Sequence, residues 1–235
     1  MKAMILAAGL GKRMGELGQQ RPKPLLEAGG KALIEWQIEK LVAAGVRELV
    51  INLHHLGEQI VQRLGDGSRY GAQIVYSHEQ QRLETAGGIL KALPLLQDEC
   101  FLVVNADIWT DFDFASLPAV DGNTVLAHLV LVPNSAQHPG GDFYLSTTGR
   151  VYAETANATG ASSGTATADR RLTFSGISVM HRQLFQGLSL KPQPLLPLLL
   201  AASAAQKLQG RFYGGQWQDI GTPERLQQLD TSLRG

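Results

Sequence analysis

Residues 3–14 constrain this chain more than any other stretch. Ala3-Met4-Ile5-Leu6 is a short, wholly apolar run, and Ala7-Ala8-Gly9-Leu10-Gly11-Lys12-Arg13-Met14 follows without a break. An uninterrupted apolar run bounded by glycine is the pattern of a strand buried on both faces, as in a parallel sheet. Gly9 and Gly11 have no Cβ to hold an anion off the backbone, so successive N–H groups can turn inward around phosphate. Lys12 and Arg13 add charge at the same place. Lys23 stands between Pro22 and Pro24, which stiffen the backbone and bias the preceding residues to extended shapes. A lysine held this way suits a fixed electrostatic contact better than a solvated surface.

Two other readings of the stretch compete. One is an ordinary strand-to-helix turn with surface bases, because a glycine-rich turn alone is a weak signal. The other is a dinucleotide site, since Gly9, Gly11 and Gly15 have nearly the right spacing. That site needs an acidic residue at the end of the second strand to hold a ribose, and Val50-Ile51-Asn52-Leu53-His54 offers none. The stretch reads better as a triphosphate cradle.

The chain has 235 residues, enough for one α/β domain with a sizeable core. Its 21 basic and 21 acidic residues balance to zero net charge. No excess of positive charge exists to cover a nucleic acid or an anionic membrane surface. The single cysteine, Cys100, adjoins the apolar run Phe101-Leu102-Val103-Val104 and reads as a reduced core residue. Met1-Lys2 leads straight into a strand with no signal peptide, and no apolar run has the length of a bilayer span. These features point to a soluble cytoplasmic protein.

Along the chain, helical spacing covers Lys31–Ala44, ending at Gly45, then Gly57–Leu64, Thr85–Ala92, Leu195–Ala205 and the segment opened by Thr222-Pro223-Glu224. Apolar strands are predicted at Leu49–Ile51, Gln73–Tyr76, Phe101–Asn105, Val125–Val132 and Leu172–Met180. Strands alternating with helices indicate a mostly parallel sheet covered on both faces. Gly140–Phe143 and Thr148–Arg150 read as turns. Asn157–Ala168 is small and polar throughout, cannot bury enough apolar area to offset its ordering entropy, and reads as a mobile loop.

A triphosphate calls for a cation. Asp107, in Asn105-Ala106-Asp107, follows a predicted strand, where ligands gather in open α/β sheets. Asp219 ends a short apolar stretch before a helix start. Mg²⁺ is held by one or two carboxylates together with substrate phosphates and water, and two acids at strand ends fit that count. Either aspartate alone could equally be a turn or cap residue.

Leu6–Met14, Pro22-Lys23-Pro24-Leu25, Thr85-Ala86-Gly87, Asn105-Ala106-Asp107, Phe174-Ser175-Gly176-Ile177 and Trp217-Gln218-Asp219-Ile220-Gly221-Thr222 occur in this order. On them the chain resembles the sugar-1-phosphate nucleotidylyltransferases over nearly its whole length. Leu83–Gly88, Asp107–Asp111 and Gly141-Asp142-Phe143 are most similar to the branch that uridylylates N-acetylmuramic acid 1-phosphate in bacterial cell-wall recycling. The resemblance implies a Rossmann-like three-layer α/β/α fold with a mostly parallel mixed sheet. It implies one domain over 1–235, with a nucleotide-binding half near 1–110 and a sugar-binding half near 111–235.

The resemblance also implies roles. Gly9, Gly11, Lys12 and Arg13 would hold the triphosphate, and Lys23 would contact phosphate at the reacting centre. Ala8 and Gly87 would lie against the base. Asp107 and Asp219 would bind Mg²⁺, and Asn105, Gly141, Glu154 and Ser175 would face the sugar. The partners are then a nucleoside triphosphate and a sugar 1-phosphate, with no nucleic acid or membrane. Arg13, Lys23 and Asp107 would carry catalysis by charge neutralisation, because the attacking phosphate oxygen is already an anion and needs no general base. Arg150, Arg170, Arg171 and the Gly140-Gly141 backbone are candidates to meet the lactyl carboxylate of a muramic acid. The chain departs from the family in Gly15-Glu16-Leu17-Gly18, where a basic-Pro-Leu-Thr run is usual, and in Ser175, where relatives often carry Asn. Glu154 is placed only by its position after Gly149-Arg150-Val151. Transfer of a thymidylyl, guanylyl or uridylyl group to another hexose 1-phosphate, and a non-catalytic nucleotide-binding regulatory module, stay open as rivals.

Overall fold

The computed structural model describes residues 1–153 and 170–235. Glu154 and the 157–168 segment lie outside the described residues. The centre of the fold is built from four parallel strands: β1 (Ala3–Leu6), β4 (Glu48–Leu53), β5 (Gln73–His78) and β6 (Cys100–Asn105), side by side in the order β6-β1-β4-β5. Between β1 and β4 come the short helix α1 (Glu16–Gln20), a hairpin of β2 (Glu27–Ala28) and β3 (Lys31–Ala32), and helix α2 (Leu33–Ala43). Helix α3 (Gly57–Leu64) joins β4 to β5, and α4 (Glu84–Leu96) joins β5 to β6.

Alternation along each strand explains why these runs carry no polar face. Ala3 and Ile5 face one core and Met4 the other; Leu49 and Ile51 oppose Val50; Leu102 and Val104 oppose Phe101 and Val103. Side chains of successive strand residues point to opposite faces, so a strand covered on both sides must be apolar throughout. Ile34, Ile38 and Leu41 of α2 and Ile60 and Leu64 of α3 cover the first face. Ile89, Ala92 and Leu96 of α4 cover the second. The result is three layers.

The second half of the chain changes strand direction. Short strands β7 (Ile108–Thr110), β8 (Ala127–Val132), β9 (Phe143–Leu145) and β10 (Val151–Tyr152) precede the long β11 (Arg170–His181). β11 runs antiparallel to β6, β8 and β9, and carries a register shift between Phe174 and Ser178. Helix α5 (Leu196–Ala204), β12 (Leu208–Phe212), β13 (Trp217–Asp219) and α6 (Pro223–Arg234) complete the chain, with β12 parallel to β8. The sheet is therefore mixed, parallel at its centre, as the three-layer expectation required.

Three local expectations change. The 31–44 helix begins at Leu33, because Lys31 and Ala32 are taken into the hairpin; the Ala32 N–H instead donates to Glu35 Oε2 and caps the helix. Burial raises the pKa of Glu35, but hydrogen bonds from Arg63, Tyr70 and the Ala32 N–H outweigh it and bring the value down to about 2. Cys100 is half-buried at a strand start rather than in the core, and burial raises the pKa of its thiol. Helix α4 runs past the predicted end through Pro94. Among the described residues, no helix is long and apolar enough to cross a membrane.

Candidate active site

The carboxyl ends of β1 and β6 open into one groove. Leu6 of β1 pairs with Asn105 of β6, so the glycine loop and the Asn105-Ala106-Asp107 turn leave the sheet side by side. Gly11 takes φ +60, a left-handed backbone open to glycine at little cost. It places the turn Lys12–Met14 so that only Met14 is buried and Lys12 and Arg13 stay exposed. A Cβ added at Gly9 would meet nothing within 4 Å, so the packing beneath it does not call for a glycine. The loop entry is tied down from below: the Ala7 N–H donates to Asn52 Oδ1 at 2.8 Å, Asn52 Nδ2 donates to Glu79 Oε1 at 2.7 Å, and the Leu83 N–H donates to Glu79 Oε2 at 2.9 Å. Asn52 and Glu79 are both buried.

Two adjoining cavities form this side of the groove. One, of about 390 Å³, is lined by Gly9, Gly11, Lys12, Arg13, Lys23 and Asp107. The other, of about 330 Å³, is lined by Ala8, Asn52, Glu79, Glu84, Thr85 and Asn105, and both include Gly9, Arg82 and Asp107. A third cavity, of about 520 Å³, extends the other way between Pro133–His138, Thr173–Ser175, Trp217–Asp219 and helix α6, and shares Arg13 with the first and Asn105 with the second.

The acids meet where the cavities join. β7 and β13 pair antiparallel with Ile108 opposite Asp219, and the Ile220 N–H donates to the Asp107 carbonyl at 3.0 Å. This short ladder brings together two aspartates from distant parts of the chain. Lys23 lies between them, 7% exposed, with Nζ 2.6 Å from Asp107 Oδ2 and 3.9 Å from Asp219 Oδ1. Both carboxylates stay about one-third exposed to the groove. Arg225 of α6 donates to Asp219 Oδ2 at 2.9 Å and to the Asp219 carbonyl at 3.0 Å. Lys12, Arg13, Lys23 and Arg82 line the glycine-loop cavity with Asp107 as its one carboxylate among the described lining residues, a surplus of positive charge suited to a polyanion. Among the described residues no group of three His, Cys, Asp or Glu could enclose a metal ion. Two carboxylates about one-third exposed beside the glycine-loop cavity fit the other kind of site, in which substrate oxygens complete the shell of a hard cation.

The implied sugar and base residues divide. Asn105 and Ala8 line the cavities. Gly87 does not. A Cβ there would collide with the Lys191 carbonyl oxygen, so the missing side chain serves packing against the 191–193 segment. Glu84 and Thr85 form the wall instead, and Glu84 is held at φ +58, a conformation costing a non-glycine residue on the order of 1 kcal/mol. The Ala86 and Gly87 N–H groups secure it by donating to the Gln193 carbonyl. Ser175 lines the third cavity, but its hydroxyl is already engaged, donating to the Val130 carbonyl at 2.8 Å and accepting the Ile177 N–H at 3.2 Å. Gly141 is buried behind Asn134, where a Cβ would lie 2.7 Å from Oδ1. Arg150 and Arg171 are absent from the cavity lining; the Arg171 guanidinium covers the Tyr144 ring. Residues with no separate sequence signal complete the site: Arg82, Glu79, Asn52, Arg225 and His138.

Comparisons with known proteins bear on the family and the fold. Residues 2–135 match the family model described as nucleotidyl transferase. The chain is 43% identical to the N-acetylmuramate alpha-1-phosphate uridylyltransferase of Neisseria meningitidis serogroup B, over 97% of this chain and 96% of that protein. It is 34% identical to the protein of the same name from Caulobacter vibrioides, over 94% and 92%. A crystal structure from Bacillus anthracis, described as a glucose-1-phosphate thymidylyltransferase, superposes with a TM-score of 0.81 over 100% of this chain and 95% of that one, at 17% identity. That structural likeness speaks to the fold alone.

Proposed function

The chain belongs to the nucleotidyl transferase family, and from that premise we propose that it transfers a uridylyl group from UTP to N-acetylmuramic acid 1-phosphate, releasing pyrophosphate and forming the UDP-sugar. The observation that carries the proposal is the meeting of Arg13, Lys23, Asp107 and Asp219 at the junction of a glycine-lined cavity and a second, wider one. A triphosphate in the first and a sugar phosphate in the second would bring their reacting phosphates to that junction. The near full-length likeness to two proteins named as acting on N-acetylmuramate 1-phosphate supports the choice of sugar and base.

The residues divide the work as follows. Backbone N–H groups of Gly9 to Arg13 hold the triphosphate. Lys23 and Arg13 neutralise charge that develops on the phosphate under attack, in a groove where such contacts act without reorganisation. Asp107 and Asp219 would hold Mg²⁺, which supplies further neutralisation of the phosphate oxygens when bound. Arg225 holds Asp219 in place. The attacking sugar-phosphate oxygen is already anionic, so positioning and charge carry the rate. Residues 1–110 would serve the nucleotide and 111–235 the sugar, within one domain.

Pyrophosphate release, measured with each of four nucleoside triphosphates against a panel of sugar 1-phosphates, tests the proposal. UTP with N-acetylmuramic acid 1-phosphate is the expected best pair. Uracil and thymine differ by one methyl, worth about 1–3 kcal/mol in a pocket, so a residual rate with the thymidine nucleotide is consistent. Preference for N-acetylglucosamine 1-phosphate would overturn the muramate assignment.

A further inference from the structure

Muramic acid differs from glucosamine by a lactyl ether on O3, which adds a carboxylate. We infer that His138, presented by the 133–142 loop, is the side chain that meets this carboxylate; the inference rests on the muramate reading above. Three side chains able to carry positive charge line the sugar-side cavity among the described residues: Arg13, Arg225 and His138. Arg13 also lines the glycine-loop cavity and stands at the reacting end. Arg225 is committed to Asp219 through two hydrogen bonds. His138 remains, half exposed, on the wall made by the 133–142 loop.

The loop is built to hold that imidazole still. Asn134 Nδ2 donates to the carbonyls of Pro139 and Arg171, and Asn134 Oδ1 accepts from the Thr173 hydroxyl at 2.9 Å. The Asp142 N–H donates to the Leu172 carbonyl at 2.7 Å. Gly141 adopts φ +60 with no room for a Cβ. Asp142 then orients the ring: Oδ1 lies 3.0 Å from His138 Nε2, while Oδ2 accepts the Phe174 N–H at 2.8 Å. His138 Nδ1 has no partner among the described residues. As the imidazolium, both ring nitrogens donate: Nε2–H to Asp142 and Nδ1–H to the lactyl carboxylate. Ordering the loop before ligand arrives removes a cost from binding. Asp142 is by this account a positioning residue.

The test compares kcat/KM for N-acetylmuramic acid 1-phosphate, its lactyl-carboxamide analogue and N-acetylglucosamine 1-phosphate in the wild type, His138→Ala and His138→Gln, with thermal unfolding recorded for each. One charge-assisted hydrogen bond corresponds to a preference of about tenfold to a hundredfold. In His138→Ala the preference for carboxylate over carboxamide should fall by that factor, mostly through KM, with His138→Gln between it and the wild type. Equal losses on all three sugars would mark His138 as a structural partner of Asp142 and overturn the inference. An undiminished carboxylate preference in a folded His138→Ala would also overturn it. A wild type that favours the glucosamine compound would instead overturn the muramate reading itself.

Discussion

On the side of the groove proposed for the nucleotide, one covalent stretch, Leu6 to Met14, lines the cavities together with Lys23, Asp107, Arg82, Glu84 and Thr85. On the side proposed for the sugar, the walls come from four separate segments: the 133–142 loop, the bulged part of β11, strand β13 and helix α6. Backbone N–H groups recognise phosphate in any nucleotide and carry little discrimination. Residues gathered from distant segments can be exchanged one at a time, so discrimination among sugars is expected there. Among the described lining residues the two sides share Arg13 and Asn105, and substitutions can be placed to separate them.

The largest effect is expected at the junction. Asp107→Asn or Asp219→Asn should lower turnover on the order of a thousandfold, the scale of several kcal/mol of lost charge stabilisation, on every sugar alike. The amide fills the same space, so thermal unfolding should change little. Near-normal turnover in either variant would remove that residue from the metal site. Next comes Lys23→Ala, expected to cost tenfold to a thousandfold in rate, the order of losing one fixed donor to a developing charge. It also leaves Asp107 and Asp219 facing each other without their shared cation. A variant that lost stability but kept its rate would make Lys23 a structural counter-ion only.

Beneath the nucleotide side, Asn52→Ala strands the Ala7 N–H and one oxygen of Glu79. Two buried groups left unpaired should cost about 3 kcal/mol in denaturant unfolding, with the same proportional loss of rate on all sugars. Sugar-dependent losses would show that the two sides are not separable as described. The smallest effect is expected for Ser175→Ala. Its hydroxyl is engaged by the Val130 carbonyl and the Ile177 N–H, so the variant should lose about 2 kcal/mol of stability and leave KM for sugar phosphates within about twofold. A larger KM change would return Ser175 to the sugar site.

The glycine turn after β1, the buried parallel strands and the helix caps were legible in the sequence because each depends on residues within a few positions of one another. Alternation along β1 reports burial on both faces, and Thr222-Pro223 carries its own cap, with the Thr222 hydroxyl accepting from the Arg225 N–H. Asp107 and Asp219 were legible as candidates, each at a strand end. Their partnership across Lys23 was not, since it depends on the β7–β13 ladder, a pairing of two three-residue strands too short to announce itself. Gly87 was visible as a residue that must be small, but the obstacle to a side chain is the Lys191 carbonyl. Ser175 was visible as a polar residue in a strand, and only the neighbouring β8 shows that its hydroxyl is already used. His138 had no signal of its own; a histidine in a Pro-Gly loop becomes notable once Asn134 and Asp142 fasten that loop to β11. Local backbone preference is written in neighbouring residues, whereas the identity of a side chain's partner is decided by which distant strand packs beside it.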